Sequence, residues 1–301
     1  MNKLLILSGP TATGKTALAI EIAQKFAGEL ISADSRQIYR GMDIGTGKDH
    51  PPNIKINLID IINPDQSFSV AQFRQLAIEN INEIHSQNKL PIIVGGTGQY
   101  IDALVNPRPT FAIPPHNFLR FFLNHLPLKF LQHTLKTLDF KTFNSLNNSD
   151  LHNPHRLIRK IEIRLSKKKI ADCSLKIEDY DILHLSLTAP NQFLYSRVDT
   201  RVQSRLDAGL LAEIKMLLKK YKWTDPGLNT LAYMDFRPYF VETPYMASLL
   251  SRCIESWRFA EHAYVRRQKT WFKKINPLFI DISTAGYKKN LMTKINKWYN
   301  Q

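Results

Sequence analysis

The sequence "GPTATGKT", Gly9 to Thr16, is the feature that most constrains the fold of this chain. It fits the pattern GxxxxGK[ST] at every fixed position, follows the apolar run "LLIL" and opens a segment with helical spacing. In such loops backbone N–H groups bind phosphate oxygens, Lys15 adds a positive charge, and the Thr16 hydroxyl can reach a magnesium ion. The motif therefore predicts a strand, a phosphate-binding loop and a helix, in that order.

Short apolar runs alternate with helical patterns through the first hundred residues. The runs "LLIL", "ELIS", "INLIDII" and "PIIV" predict buried strands, and "DILHLSLT" and "LFIDIS" are further candidates after the chain rejoins the sheet near Asp181. Strands that alternate with helices form parallel sheets with right-handed crossovers. We therefore predict an α/β fold of the P-loop NTPase type, with a doubly wound parallel sheet.

A segment without glycine, residues 116–170, interrupts this alternation. It follows the proline-rich stretch "NPRPTFAIPP" and has helical spacing, and Asn153 and Pro154 have the residue types of an N-cap and a first helical position. We therefore predict a core formed by residues 1–112 and 179–301, with a helical insertion at 113–178. Long amphipathic helices are predicted again from Asn191 onwards.

The charge balance is strongly basic, because 41 Lys and Arg against 26 Asp and Glu leave +15. Such an excess favours a polyanionic partner, most often nucleic acid, with a merely solvated basic surface as the alternative. Cys173 and Cys253 form no CxxC pair, which argues against a disulfide framework and a cysteine zinc site. The apolar run at the start is too short for a signal peptide, and no stretch approaches the roughly 20 apolar residues that span a bilayer. We expect a cytoplasmic protein.

Polar side chains are concentrated directly after the second predicted strand. The sequence "DSRQIYRGMDIGTGK", residues 34–48, begins with Asp34 at the carboxyl end of that strand, where open parallel sheets bind ligands. A carboxylate there could take a proton from an attacking amine or hydroxyl. The alternative is that Asp34 or Ser35 caps a helix that begins at "RQIY".

Four sequence blocks together closely resemble the tRNA dimethylallyltransferases, also called tRNA isopentenyltransferases: "GPTATGKT", "DSRQIYRGMDIGTGK", "FSVAQF" and "VGGTGQYI". The resemblance continues in "HRLIRKIEI", "LYSRVDTRVQSRLDAGLLAEI" and "RRQKTWF", and only about residues 110–152 differ in detail. It implies transfer of a dimethylallyl group from dimethylallyl diphosphate to the exocyclic amine of the adenosine just 3′ of a tRNA anticodon. Diphosphate leaves, and Mg²⁺ helps to neutralise its charge.

The same resemblance implies roles for individual residues. Asp34 would be the base that deprotonates the adenosine, and Lys15 and Thr16 complete the catalytic set, with Thr16 as the magnesium ligand. The donor diphosphate would be bound by Gly9, Pro10, Thr11, Ala12, Thr13, Gly14, Lys15 and Thr16. Contacts with tRNA are expected from Asp34, Ser35, Arg36, Gln37, Thr97, Arg120, His155, Arg156, Leu157, Ile158 and Arg159. We further expect a monomer that does not associate with a membrane.

The predicted helix from His155 to Lys169 is the most basic element, with seven Lys or Arg and one Glu. Arg156, Lys160 and Arg164 are spaced four apart, which predicts a face towards phosphates, with a solvated face as the alternative. The segment "RRQKTWF" could likewise pair phosphates and stack bases, or pack Trp271 in the core.

Two positions depart from the family pattern, and one of them is Asn57, where relatives often carry His before "LIDI". The other follows the long amphipathic segment that begins at Asn191. Relatives usually carry "GY" and then a basic residue, whereas this chain has "LAYMDF", with Met234 in place of the basic residue and Arg237 as a candidate substitute.

Three other functions stay open. An adenylate isopentenyltransferase would use a free nucleotide, for which the net charge and the basic helix are not needed. A P-loop kinase would bind ATP and normally needs a Walker-B aspartate, which "PIIV" lacks and for which Asp60 is a fallback. A degenerate RNA-binding protein would not need the intact Gly14, Lys15, Thr16 and Asp34.

Overall fold

The computed structural model describes residues 1–49, 51, 54–106, 110, 113, 115–166, 180–241 and 247–301. The chain forms two compact units, a core unit of Met1–Val105 with Lys176–Gln301 and an insertion unit of Asn106–Leu175. The predicted domain boundaries at residues 112 and 178 lie outside the described residues, as does Cys173.

The described residues of the core unit form a single sheet whose neighbouring strands are all parallel. Its order is β3-β2-β4-β1-β5-β6. The strands are β1 (Asn2–Ser8), β2 (Gly28–Ser32), β3 (Ile56–Asn57), β4 (Leu90–Gly95), β5 (Tyr180–Thr188) and β6 (Leu278–Asp281). The prediction of an α/β fold with a parallel sheet is confirmed.

Helices cover the sheet and build the insertion unit. In chain order they are α1 (Lys15–Lys25), α2 (Val70–Ser86), α3 (Gly98–Val105), α4 (Asn117–Leu123), α5 (Leu128–Leu138), α6 (Phe140–Asn144), α7 (Asn148–Leu151), α8 (Pro154–Leu165), α9 (Asn191–Asp207), α10 (Leu210–Leu217), α11 (Tyr233–Val241), α12 (Ala247–Ile275) and α13 (Tyr287–Tyr299). Helices α4 to α8 belong to the insertion unit. None of the helices among the described residues is both long and apolar enough to cross a membrane.

The central strands are buried on both faces. Along β1, Leu5 and Leu7 belong to one hydrophobic cluster, whereas Leu4 and Ile6 belong to another. Because successive side chains of a strand point to opposite faces, these two clusters lie on opposite sides of the sheet. This explains why the strands read as continuous apolar runs, and it places the carboxyl ends of all six described strands at one edge.

Two predicted elements are shorter than expected. The run "INLIDII" forms a strand only at Ile56–Asn57, because Leu58 and Asp60 have φ values of +63° and +56°, outside the extended region. The helix predicted from Asn191 ends at Asp207, and α10 starts after a break that includes Gly209.

The insertion unit has its own apolar core. Helices α5 and α8 pack through Leu131, Leu135, Leu157 and Ile161, which are all fully buried. Helix α8 begins as predicted, because the Asn153 side chain accepts a hydrogen bond from the Arg156 backbone N–H at 3.2 Å and Pro154 occupies the first turn.

Candidate active site

The loop Gly9–Thr16 connects β1 to α1 and is held in shape by its own side chains. The Thr13 hydroxyl and the Lys15 ammonium both donate to the Pro10 carbonyl, at 2.9 and 3.2 Å. The Thr11 backbone N–H donates to Gln268 on α12 at 2.9 Å. No side chain caps the first turn of helix α1, so its backbone N–H groups are free to bind a ligand. Free N–H groups at the start of a helix commonly bind phosphate.

A cavity of about 470 Å³ opens beside this loop. Its wall combines three parts of the core unit that are far apart in sequence: the phosphate loop, the segment after β2, and helices α9 and α12. From the residues predicted as a site it contains Thr11, Ala12, Gly14, Lys15, Thr16, Asp34, Arg36 and Gln37. The sheet edge therefore brings the two motifs together, as the parallel topology requires.

Lys15 is a partly buried cation in the wall of this cavity. Burial lowers the pKa of its ammonium to about 8, a shift that the carboxylate of Asp34 partly opposes and Arg201 reinforces. The lowered pKa means that the free site destabilises the positive charge of the ammonium. A bound anion such as diphosphate would relieve that cost.

Helix α9 adds three arginines that the sequence interpretation did not assign to the site: Arg197, Arg201 and Arg205. Arg201 donates to the Thr11 hydroxyl at 2.8 Å and to the Gly47 carbonyl at 3.2 Å. The Arg205 side chain is largely buried, which lowers its pKa to about 10, and it lies 3.7 Å from Glu261. The signal was present, since arginines four residues apart share one face of a helix.

Asp34 forms a turn and does not cap a helix. Its Oδ1 accepts a hydrogen bond from the Arg36 backbone N–H at 3.0 Å, and residues 35–38 adopt turns. The alternative helix at "RQIY" is therefore wrong. No described residue pairs with the other carboxylate oxygen, so it is available to a ligand in the cavity.

Of the residues next to Asp34, Arg36 and Gln37 line the cavity, whereas Ser35 does not. The Arg36 guanidinium lies 4.4 Å from the centre of the Tyr264 ring, and Gln37 donates to the Gly47 carbonyl at 3.2 Å. Thr97 accepts a hydrogen bond from the Ser35 backbone N–H at 3.0 Å. This places Ser35 and Thr97 against each other, and neither lines the cavity.

Met234 and Arg237, where the chain departs from its family pattern, lie outside the cavity wall. Met234 is partly buried and Arg237 is exposed. The positive charge of the cavity wall comes from Lys15, Arg36 and the α9 arginines. The fallback Walker-B residue Asp60 forms an ion pair with the buried ammonium of Lys48 at 2.5 Å. It is therefore a structural residue.

Two predicted tRNA contacts of the insertion unit share one buried carboxylate. Arg120 binds both oxygens of Glu162, at 2.6 and 2.8 Å, and Arg159 lies 3.4 Å from it. Arg159 also donates to the carbonyls of Thr110 and Ile113. These two arginines stabilise the insertion unit, and only their partly exposed edges are open to a partner.

The other residues of α8 that were predicted to contact tRNA lie on two different faces of the helix, one buried and one exposed. Leu157 and Ile158 are buried in the insertion core, because their helical phase turns their side chains inwards. Their predicted contact with tRNA stays a prediction, and in this arrangement it would have to be made by their backbone. His155 and Arg156 are exposed, and Arg156 pairs with Asp150 at 2.6 Å.

Fold and cavity together define a P-loop protein with a basic cavity at the carboxyl edge of a parallel sheet. The profile of the IPP transferase family matches residues 37–275. The tRNA dimethylallyltransferase of Roseiflexus sp. (strain RS-1) is 36% identical, over 99% of this chain and 99% of that protein. The enzyme of Chloroflexus aggregans (strain MD-66 / DSM 9485) is 38% identical, over 93% of this chain and 96% of that protein.

Solved structures show the same likeness. The full-length tRNA isopentenylpyrophosphate transferase of Bacillus halodurans has a TM-score of 0.72 and 30% identity, covering 99% of this chain and 97% of that one. A eukaryotic dimethylallyltransferase acting on tRNA has a TM-score of 0.81 and 25% identity, covering 97% and 78%. The chain belongs to the IPP transferase family.

Proposed function

We propose that this protein transfers a dimethylallyl group from dimethylallyl diphosphate to tRNA. The acceptor is the exocyclic amine of the adenosine immediately 3′ of the anticodon, and diphosphate is released. Membership of the IPP transferase family and relatives named tRNA dimethylallyltransferase over nearly the whole chain support the reaction. The observation that carries the proposal is the single cavity that holds the phosphate loop, the α9 arginines and Asp34 together.

The cavity suits the charge changes of this reaction. The amine nitrogen attacks the allylic carbon, the carbon–oxygen bond breaks, and its electron pair leaves with the diphosphate. Lys15, Arg201 and the N–H groups at the start of α1 stabilise the negative charge that develops there. The amine is a poor nucleophile because its lone pair is delocalised into the base, and Asp34 accepts its proton.

A magnesium ion would suit this site, because oxygens of the protein and of the bound diphosphate could hold it together. The described residues contain no group of three or more His, Cys, Asp or Glu that could hold a metal by themselves. The Thr16 hydroxyl and the carboxylates of Asp34 and Asp49 nevertheless line the same cavity, and Mg²⁺ prefers such oxygens together with substrate phosphates. Thr16 and one of these carboxylates would hold the ion, which would neutralise charge on the leaving diphosphate.

The acceptor is proposed to be tRNA because the chain carries +15 and a basic helix, α8. Phosphate contacts of this kind position a nucleic acid without reading its sequence. We also propose that the protein acts as a monomer in the cytoplasm. Sedimentation with and without tRNA tests the first of these two statements.

One experiment separates the candidate functions. The protein is incubated with unmodified tRNA or AMP, each with dimethylallyl diphosphate or ATP, and the digested nucleosides are analysed by mass spectrometry. A prenyl adduct on tRNA alone is expected. An adduct on AMP would indicate an adenylate isopentenyltransferase, phosphate transfer from ATP a kinase, and tRNA binding without any product a degenerate RNA-binding protein.

A further inference from the structure

Glu213 on α10 binds three consecutive backbone N–H groups of the loop that follows the "DSRQIY" segment. Its Oε2 accepts hydrogen bonds from Asp43 at 2.8 Å and Ile44 at 2.7 Å. Its Oε1 accepts one from Gly45 at 2.9 Å and one from the Tyr233 hydroxyl at 2.7 Å. Both oxygens of one carboxylate are therefore used by charge-assisted hydrogen bonds, which are stronger than neutral ones.

The loop held in this way, residues 43–49, forms one wall of the cavity through Gly45, Thr46 and Asp49. Glu213 itself does not line the cavity. Its effect on a ligand must therefore pass through the loop. A second anchor lies within the loop, where the buried Lys48 ammonium binds the Tyr39 carbonyl and the carboxylates of Asp43 and Asp60.

The carbonyl groups of the same loop orient the α9 arginines. The Gly47 carbonyl accepts from Arg201 at 3.2 Å and also from Gln37, and the Gly45 carbonyl accepts from Arg205 at 3.5 Å. These carbonyls can hold the guanidinium groups in place only while the loop keeps its backbone conformation.

The two glycines of "DIGTGK" are explained by this packing. Gly47 has a φ of +61°, and a Cβ there would overlap the guanidinium groups of Arg201 and Arg205. A Cβ on Gly45 would lie 2.5 Å from the Tyr233 ring. The backbone of the loop thus approaches the arginines and Tyr233 more closely than any other residue type would allow.

We propose that Glu213 is a positioning residue for the diphosphate site: it holds residues 43–49 so that their carbonyls orient Arg201 and Arg205 towards the bound diphosphate. This inference rests on the proposed function for the identity of the ligand and extends it to a residue outside the cavity. It predicts that loss of Glu213 impairs binding of the donor and leaves binding of tRNA intact.

The test compares Glu213→Gln with wild type by calorimetric titration of inorganic diphosphate in a magnesium buffer. Glutamine has almost the same size but presents one NH₂ group to backbone N–H donors. Diphosphate affinity should fall by about 10- to 100-fold, as expected when several charge-assisted hydrogen bonds are lost. In the prenylation assay the KM for the donor should rise, whereas the KM for tRNA should stay within about twofold, since the phosphate contacts of tRNA are made elsewhere.

Matched variants distinguish positioning from loss of charge or of fold. Glu83→Gln makes the same charge change at an exposed site on α2 and should leave diphosphate binding unchanged. Tyr233→Phe removes one of the four donors and should cost only a few-fold. Gly47→Ala displaces the arginines directly and should reproduce the donor defect. If Glu213→Gln does not fold, Glu213→Asp keeps the charge on a shorter side chain and should show the same selective loss to a smaller extent.

Two results would overturn the inference: diphosphate affinity of Glu213→Gln equal to that of Glu83→Gln, or an equal loss of diphosphate and tRNA affinity. Failure of the proposed function looks different, because wild type would then bind diphosphate without prenylating tRNA. The effect of Glu213 on diphosphate binding could still be measured in that case.

Discussion

Lys15 gives the cavity a pH dependence of defined sign. Its pKa of about 8 in the free protein means that the ammonium loses its proton above this pH, whereas a bound anion would favour the charged form. Binding of diphosphate above that pH should therefore take up a proton, and the affinity should fall by up to about tenfold per pH unit. Calorimetry in two buffers of different ionisation enthalpy, one pH unit above and one below this value, measures the uptake directly.

Lys15→Arg is the control for this effect, since arginine stays charged throughout the range. Its diphosphate binding should show no proton uptake assignable to the side chain. If it shows the same pH dependence as wild type, the titration belongs to the diphosphate or to another group.

Asp34 can be tested cleanly because its turn does not need the negative charge. In Asp34→Asn the Oδ1 atom can still accept from the Arg36 N–H, but the side chain cannot take a proton from the acceptor amine. We expect the single-turnover rate of prenylation to fall on the order of 10²–10⁴-fold. The affinity for tRNA should change only a few-fold. A wild-type rate at saturating donor and tRNA would remove Asp34 from the mechanism.

At the scale of elements, the insertion unit depends on Glu162. Burial by itself would raise the pKa of this carboxyl, but hydrogen bonds from Arg120, the His116 backbone N–H and Arg159 outweigh it and lower the pKa. A lowered pKa means that the stabilisation is present above the ordinary value of 4.5 and is lost as the pH falls through the lower folded value. Glu162→Gln should destabilise the insertion unit by about 1–3 kcal/mol at neutral pH.

The two units can be followed separately for this prediction. The four tryptophans, at positions 223, 257, 271 and 298, all lie in the core unit, so their fluorescence reports on that unit. Hydrogen exchange of the amides in α5 and α8 reports on the insertion. Glu162→Gln should speed exchange in those helices and leave the tryptophan transition unchanged. Equal effects on both signals would show that the pair stabilises the whole chain.

Helix α8 should supply part of the salt dependence of tRNA binding. Arg156, Lys160 and Arg164 are the basic residues of this helix that do not pair with Glu162. Replacing all three by alanine should reduce the slope of log K against log salt by about two to three units at most. Diphosphate affinity should stay unchanged.

A matched variant carries alanine at Lys289, Lys294 and Lys297 of α13, with the same loss of charge. It should flatten the slope less. If both variants behave alike, α8 contributes only general charge and faces solvent.

At the scale of the whole molecule, the sequence predicted what local pattern determines. The phosphate loop, each strand of the parallel sheet and the polar segment after β2 are all encoded by short runs of contiguous residues. The structure places these elements where the sequence predicted them. The buried face of α8 could also be predicted from the sequence, because Leu157, Ile158 and Ile161 follow helical spacing. The assignment of Leu157 and Ile158 to tRNA came from the resemblance alone and did not take this helical phase into account.

What the sequence did not show depends on contacts between distant segments. Arg201 meets Thr11 across 190 positions, and Glu213 meets Asp43 across 170, so no local spacing indicates either contact. Likewise, the resemblance assigned Arg159 to tRNA, and the sequence does not show that Arg159 pairs with Glu162 in the folded insertion unit. Composition indicates how much charge is available and not which charges are already paired.

The position of β1 at the centre of the sheet has a consequence for how the protein is made. This strand is synthesised before the other five described strands. Its neighbour β5 nevertheless pairs Tyr180 with Asn2, and the cavity wall includes residues as late as Gln268. During translation the first strand must therefore wait, with one edge unpaired, while the whole insertion unit leaves the ribosome. A nascent chain released before α12 would carry an intact phosphate motif without the site that the motif serves.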